Sequence, residues 1–163
     1  MQIFIRHGND NKSSKYQHDN SLNLCKKYVT DDIIKLTKKL IKKYGYPVKI
    51  YCSPFNRVIQ TVNIMEPILK NNTEIIIEPK LSRFFNKKEQ LHPSVRKETL
   101  KYYPPIYENN KEFKKRVDKI DNKLHKKNYT VWYISHYLVL KRIANNNNIT
   151  IPDKMPFLFT MIV

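Results

Sequence analysis

The chain has 163 residues, of which 40% are hydrophobic, and it carries a formal net charge of +17 at neutral pH. This size predicts one domain over residues 1–163 with its own apolar core, and the absence of any run of about 18 apolar residues excludes a membrane-spanning helix. The positive charge favours anionic partners such as phosphorylated metabolites, phosphoproteins, nucleic acid or anionic lipid, but lysines spread along the chain also fit a solvated surface.

Strands and helices alternate along the chain. Apolar, β-branched runs predict strands at residues 2–6, 48–52, 74–78, 130–135 and 157–163. Apolar residues repeating at helical spacing predict helices that begin at Thr30, after Pro54, at residue 111 and at Tyr137. Residues 9–29 and 80–110 are less regular and predict loops. This alternation is typical of an α/β fold, and we expect a three-layer α/β/α sandwich with a mainly parallel sheet.

Local signals predict where the first two helices begin and end. Thr30 is a good N-cap residue, and Gly45 follows the last apolar position of the same helix, as a C-terminal cap does. Ser53 precedes the second helix, so we expect it to shape the turn and to cap that helix.

Charged or polar side chains follow three of the predicted strands. Arg6 and His7 end the first strand, Arg57 lies one turn beyond the second, and His136 ends the fourth. In a parallel sheet these positions meet in a crevice beyond the carboxyl ends of the strands, where ligands bind. Helix N-termini at the same edge favour anions. The sequence therefore predicts an anion site there.

Two arginines and two histidines in one crevice suit the chemistry of phosphate. Arginine stays charged and binds phosphate oxygens through two parallel hydrogen bonds. A neutral imidazole can attack phosphorus and form a phosphohistidine, while a second histidine can donate to the oxygens as charge builds up. We expect no metal and no other cofactor, because neither a carboxylate cluster nor metal-ligand spacing is present. Cys25 and Cys52 indicate a reducing, cytoplasmic compartment.

The segments "IFIRHG", "CSPFNRVIQT" and "WYISH" resemble, in order, the three core motifs of the histidine phosphatase superfamily, also called phosphoglycerate mutase-like. The segment "EPKLSR" resembles a fourth, so the resemblance extends over most of the chain. It implies that His7 is the phosphorylated nucleophile. It also implies that Arg6, Arg57 and His136 form the phosphate pocket.

The fourth segment departs from the family pattern. Many members carry a glutamate two residues after the leucine, and it protonates the leaving group. Arg83 occupies that position here, and we expect it to bind the substrate. Asp10 or Glu89 could supply the missing acid, whereas Glu78 does not match the family position. Glycine, common after the second histidine, is replaced by Tyr137.

Three interpretations of this departure stay open. Another acid reaches the leaving group, or the substrate needs none, as for phosphohistidine, or the chain binds phosphate without turnover. The favoured function is a phosphatase acting on a phosphomonoester or phosphoramidate of a small molecule or a phosphoprotein. A mutase is disfavoured by the short chain. A nucleic-acid-binding protein is disfavoured because no recognisable pattern of aromatic and basic residues is present.

Overall fold

In a computed structural model, residues 1–9, 27–84, 108–124 and 129–163 are described, and their five strands form one sheet. The strands are β1 (Gln2–Arg6), β2 (Lys49–Cys52), β3 (Glu74–Ile77), β4 (Val131–Ser135) and β5 (Thr160–Ile162). The helices in these ranges are α1 (Lys27–Tyr44), α2 (Asn56–Met65), α3 (Asn110–Leu124) and α4 (Tyr137–Asn146), with 3-10 turns at Glu66–Ile68 and Pro79–Leu81. None of these helices combines the length and the apolar character that a bilayer crossing requires.

The sheet is mainly parallel, as the alternating pattern predicts. Its strand order is β3-β2-β4-β1-β5. The pairings β3–β2, β2–β4 and β4–β1 are parallel, and only β5 runs antiparallel, against β1. The carboxyl ends of β1, β2 and β4 therefore lie at one edge of the sheet. The residues that directly follow these three strands therefore lie close together at that edge.

Helices cover both faces of the sheet and give the expected three layers. Alternate residues of a strand point to opposite faces, so Ile3 and Ile5 pack under α1 and α2, whereas Phe4 packs under α3 and α4. In β4 the same alternation places Trp132 in the cluster under α1 and α2 and Tyr133 in the cluster under α3 and α4. Burial of two apolar clusters on opposite faces fixes the register of the central strands, since a slip of one residue would exchange the faces.

The first helix begins three residues before the predicted cap. Thr30 lies inside α1, which starts at Lys27, so its assignment as N-cap is wrong. The reason lies in Val29, which is buried one turn before Ile33 and extends the apolar face of the helix upstream. The predicted end is confirmed, because Gly45 has a φ of +78° and its N–H donates to the Ile41 carbonyl.

The last strand is shorter than predicted. The strand comprises Thr160–Ile162 instead of residues 157–163, with further backbone hydrogen bonds joining Phe159 and Val163 to β1. The cause is Leu158, whose φ of +57° takes the backbone out of the extended conformation. The Leu158 N–H donates to the His7 carbonyl at 3.4 Å. The segment before β5 therefore turns toward the end of β1.

Helix α3 starts with a reciprocal cap. The Asn109 side chain accepts hydrogen bonds from the backbone N–H groups of Lys111 and Glu112, at 2.9 and 3.0 Å. The Glu112 carboxylate accepts from the Asn109 N–H at 2.8 Å. This capping box fixes the start of α3 at Asn110, close to the predicted residue 111.

Candidate active site

The register of β1 and β4 brings the two predicted histidines together. Arg6 is aligned with Ser135 across the parallel pair, so His7 and His136 leave the sheet side by side. The His7 N–H extends the ladder by donating to the Ser135 carbonyl at 3.1 Å. The two imidazole rings lie 5.2 Å apart, and both are buried, with 4% of each residue exposed.

His7 has a defined arrangement of its ring nitrogens. Its Nδ1 lies 2.8 Å from the Gly8 carbonyl, which only accepts, so Nδ1 carries the proton. Its Nε2 accepts a hydrogen bond from Arg57 Nε at 3.1 Å. The Gly8 N–H donates to the Thr61 hydroxyl, which itself donates to the Arg57 carbonyl. The turn after β1 is thus anchored on α2, and the lone pair of Nε2 points at Arg57.

Arg57 joins the two histidines. Its Nη2 lies 3.3 Å from Nδ1 of His136, and because a guanidinium only donates, this Nδ1 accepts. The proton of His136 is then on Nε2, which donates to the Ser53 hydroxyl at 2.9 Å. Ser53, His136, Arg57 and His7 form one buried chain of hydrogen bonds. Arg57 is the buried link in its middle.

Ser53 therefore has a role different from the predicted one. The N-cap position of α2 is Phe55, and no side chain caps this helix, so the assignment of Ser53 as its cap is wrong. The Ser53 hydroxyl is buried against His136 instead. A cap preference reports only local sequence, whereas the hydroxyl here is engaged by a residue 83 positions away.

Burial and nearby arginines keep both histidines neutral. The pKa of His7 lies well below its usual value, chiefly because the ring is buried and secondly because Arg57 is cationic. Burial is also the main reason why the pKa of His136 is low, followed by the charge of Arg57, by electrostatic interaction with His7, and by the charges of Arg83 and Arg6. Each neutral imidazole has one lone pair, on Nε2 of His7 and on Nδ1 of His136, and each of these lone pairs accepts a hydrogen bond from Arg57. A neutral imidazole can act as a nucleophile when that hydrogen bond is given up.

Arg6 lies at the half-buried side of the site. Its Nη1 donates to the Met155 carbonyl, and its guanidinium stacks on Phe157, with Cζ 4.4 Å from the ring centre. Tyr137, which replaces the common glycine, also lies near the guanidinium, with its ring centre 5.9 Å from Cζ. Phe157 also approaches His7, with ring centres 5.8 Å apart. These rings and the Met155 carbonyl orient Arg6 beside His7.

Arg83 is the third arginine of the site. It follows the 3-10 turn at Pro79–Leu81 and is half-buried. Its charge contributes to the low pKa of His136, so it acts on the same pocket. Glu78 is engaged in capping the turn, since its carboxylate accepts from the Lys80 N–H at 3.0 Å. The alternative acids Asp10 and Glu89 lie outside the described residues.

The structure brings together four of the predicted site residues, which are Arg6, His7, Arg57 and His136. Arg83 is close enough for its charge to lower the pKa of His136, while its Nε donates to the Phe84 carbonyl at 3.3 Å. In the described part of the chain, no group of three or more His, Cys, Asp or Glu side chains is placed to hold a metal ion. Cys52 is buried in the apolar core, and burial raises the pKa of its thiol to about 11. Three cationic side chains around two neutral imidazoles suit a tetrahedral oxyanion such as phosphate.

Sequence reasoning missed three contributors to the site, which are Ser53, Thr61 and Phe157. A signal existed for Thr61, because it lies four residues after Arg57 on the same face of a helix. No local signal identifies Phe157, which reaches His7 only through the turn at Leu158.

No protein-family model and no curated protein matches the sequence. Solved structures do match. The alpha-ribazole phosphatase from Shigella flexneri gives a TM-score of 0.63 at 20% identity, with 91% of this chain and 80% of that chain covered. Bacillus stearothermophilus YhfR gives a TM-score of 0.64 at 18% identity, again with 91% of this chain and 80% of that chain covered. The protein histidine phosphatase SixA, complexed with tungstate, gives 0.56 at 16% identity, with 88% and 74% covered.

These neighbours share one architecture with this chain over most of its length, including the mainly parallel sheet between helical layers. The expectation raised by the RHG, SPxxRxxQT and SH segments is confirmed at the level of the fold: the chain has the phosphoglycerate mutase-like fold of these neighbours.

Proposed function

We propose that this protein is a phosphatase that hydrolyses a phosphomonoester or a phosphoramidate through a phosphohistidine intermediate on His7. The observation that carries the proposal is the hydrogen bonding of His7. Nδ1 is bound to the Gly8 carbonyl, which leaves the lone pair of Nε2 facing the Arg57 guanidinium at 3.1 Å. The nucleophile and the cation that would hold the phosphate thus lie in contact.

The proposed reaction has two steps. In the first, the lone pair of His7 Nε2 forms a bond to phosphorus while the bond from phosphorus to the leaving oxygen or nitrogen breaks. The leaving group departs with the electron pair of that bond and takes a proton from water or an acid. In the second, water attacks phosphorus, the N–P bond breaks, and its electron pair returns to Nε2. Inorganic phosphate and a proton are released.

Arg57 and His136 would stabilise the phosphoryl group during both steps. In the free site Arg57 donates to both imidazoles, so an arriving phosphate must replace these two acceptors with its own oxygens. The negative charge of phosphate would offset the arginine charges that lower the pKa of His136. His136 would then take up a proton on Nδ1 and donate it to an equatorial oxygen as a hydrogen bond. Arg6 supplies a further cation on the same side as His7.

Arg83 limits the leaving groups that the site could handle. A guanidinium keeps its proton and its charge at neutral pH, so it cannot protonate a leaving alkoxide. Imidazole or a phenolate leaves without strong acid catalysis, which favours phosphoramidates such as phosphohistidine and aryl phosphates. We propose that Arg83 binds a second anionic group of the substrate instead. Asp10 and Glu89 stay the candidates for an acid if alkyl phosphates are hydrolysed rapidly.

The names of the structural neighbours agree with this function. They include a phosphatase of alpha-ribazole and the protein histidine phosphatase SixA. SixA is complexed with tungstate, a tetrahedral oxyanion similar in shape to phosphate. A phosphorylated small molecule or a phosphoprotein is therefore the proposed substrate class.

A second candidate function is binding of a phosphorylated partner without turnover. The observation that favours it is Arg83, a cation at the position where the resemblance implies a glutamate acid. Such a protein would keep the pocket formed by Arg6, Arg57 and the two histidines and would release its ligand unchanged.

Labelling of the nucleophile tests the proposal. The protein is incubated with radiolabelled phosphoramidate, quenched, and examined for phosphate that is labile in acid and stable in base. We expect a label on the wild type and on the control Arg142→Met, whose arginine pairs with Asp118 away from the site, and none on His7→Ala. A label retained by His7→Ala would show that the nucleophile is another residue. Binding of inorganic phosphate with neither label nor turnover would establish the second candidate.

A further inference from the structure

The backbone that carries Arg83 is held by side chains at three successive carbonyls. The guanidinium of Arg116, through Nη1, donates to the Lys80 carbonyl and, at 3.1 Å, to the Ser82 carbonyl. The Ser135 hydroxyl, next to His136 in the chain, donates to the Leu81 carbonyl at 2.7 Å. The segment before Arg83 is thus fixed from α3 on one side and from the end of β4 on the other.

Arg116 is itself fixed by Glu108. Nε donates to one carboxylate oxygen at 2.9 Å, and Nη2 donates to the other. Only 9% of the Arg116 side chain and 2% of the Glu108 side chain are exposed. The guanidinium also lies over the Phe113 ring, with Cζ 5.2 Å from its centre. A planar guanidinium that is paired on one edge and stacked on one face has a single orientation, and its remaining donor points at the two carbonyls.

We propose that Arg116, oriented by Glu108, is a positioning residue that fixes Arg83 at the rim of the phosphate pocket and so sets the selectivity for a substrate with a second anionic group. The inference rests on the proposed function of Arg83. Stabilisation of the fold alone does not require this arrangement, since the buried pair would satisfy its own charges without donating to either carbonyl. The two carbonyl bonds connect the pair to the residue immediately before Arg83.

The same helix offers a matched control. Arg142 on α4 makes a bidentate pair with Asp118 on α3, with both nitrogen–oxygen distances 2.8 Å. This pair joins the two helices on the outer side and has the same chemistry as the pair of Arg116. Arg142→Met therefore reports what loss of an arginine–carboxylate pair on α3 does to the protein in general.

Two unreactive ligands distinguish binding in the phosphate pocket from the additional binding by Arg83 at its rim. Methylphosphonate carries only the phosphate-like group, whereas phosphonoacetate adds one carboxylate. Affinities of both are measured by calorimetry for the wild type, Arg83→Met, Arg142→Met and the double variant Arg116→Met with Glu108→Leu. The double variant removes both buried charges, since removal of one alone leaves the other unpaired and strongly destabilises a protein. Arg116→Lys, which keeps the charge beside Glu108, serves as the second variant if the double variant fails to fold.

We expect the wild type and Arg142→Met to bind phosphonoacetate about tenfold more tightly than methylphosphonate, the effect of one charge-assisted contact. The double variant should lose this preference, as Arg83→Met does, and should bind methylphosphonate within about twofold of the wild type. Adding Arg83→Met to the double variant should weaken phosphonoacetate binding no further, because both changes remove the same contact. Arg116→Lys should retain only part of the preference.

Several results would overturn the inference. One is a double variant that still prefers phosphonoacetate over methylphosphonate as strongly as the wild type. Another is an Arg142→Met variant that loses this preference to the same extent as the double variant. A third is a wild type that binds methylphosphonate but shows no preference for phosphonoacetate. Failure of the wild type to bind methylphosphonate at all would instead refute the proposed function, and the inference with it. Hydrogen exchange gives a readout without ligand: the amides of Leu81 and Ser82, bonded to Glu78 and Pro79, should exchange faster in the double variant only. Unchanged exchange would also overturn the positioning role.

Discussion

Loss of Arg57 should change the site more than any other single substitution, because this side chain is bonded to both histidines. Arg57→Met keeps a long apolar stem in the buried position and removes the guanidinium. The two donors that face the pocket are Nε, 3.1 Å from His7, and Nη2, 3.3 Å from His136. Each would make a charge-assisted hydrogen bond to phosphate, which contributes about 1.5–3 kcal/mol. Vanadate or phosphate should bind at least about tenfold more weakly if one contact is lost and at least about a hundredfold more weakly if both are lost.

The same substitution should move the histidine pKa values upward. Burial is the largest cause of the low pKa of each ring, and the charge of Arg57 is the second. Without the guanidinium both imidazoles should protonate more readily, while burial still holds their pKa values below the ordinary range. Proton NMR titration of the ring signals measures this, with His7→Asn and His136→Asn to assign them.

Arg142→Met is the control, because it removes an arginine outside the site. It should change neither the affinity for vanadate nor the histidine titrations. If Arg57→Met binds vanadate as tightly as the wild type, the two donors do not face the anion and the proposed pocket is wrong. If the histidine pKa values stay the same or fall, the electrostatic part of the reasoning is wrong.

Three further predictions concern pH, Ser53 and Arg83. Because both histidines have lowered pKa values when folded, the unfolded chain binds more protons below about pH 6.5, so the free energy of unfolding should fall as the pH is lowered from there. Urea denaturation should show this fall, and His136→Asn should reduce it. Ser53→Ala removes the hydroxyl that accepts from the His136 Nε2–H at 2.9 Å. It should lower the free energy of unfolding by about 1–3 kcal/mol. A decrease too small to measure by urea titration would contradict that hydrogen bond. Arg83→Glu should increase kcat/KM for alkyl phosphates relative to p-nitrophenyl phosphate, by up to the 10²–10⁴-fold or so that general acid catalysis supplies; an unchanged ratio would place position 83 away from the leaving group.

Much of the sheet could be predicted from the sequence. Buried parallel strands consist of nearly continuous apolar residues, so β1 and β4 stand out at residues 2–6 and 130–135, within one residue of their observed bounds. The charged and polar residues that follow them identify the edge of the sheet where the site lies. His7, Arg57 and His136 could be assigned to one crevice because parallel strands end together.

The remaining features depend on contacts between residues far apart in sequence. Arg6 is oriented by the carbonyl of Met155, which is 149 residues away. The partner of Ser53 is His136, and a local preference for helix caps gives no indication of it. Residues 80–82 look irregular in the sequence because their backbone is held by side chains of other elements, Arg116 and Ser135.

The position of β1 in the sheet has a consequence for how the chain is made. Among the strands of the described residues, β1 pairs only with β4 and β5, and it emerges from the ribosome more than a hundred residues before either of them. At usual rates of synthesis this delay lasts on the order of ten seconds. Throughout that interval a run of apolar residues with open hydrogen-bonding edges is exposed to aggregation. We therefore expect the nascent chain to depend on chaperones that cover this strand, and the proposed phosphate pocket to form only after β4 and β5 have been synthesised.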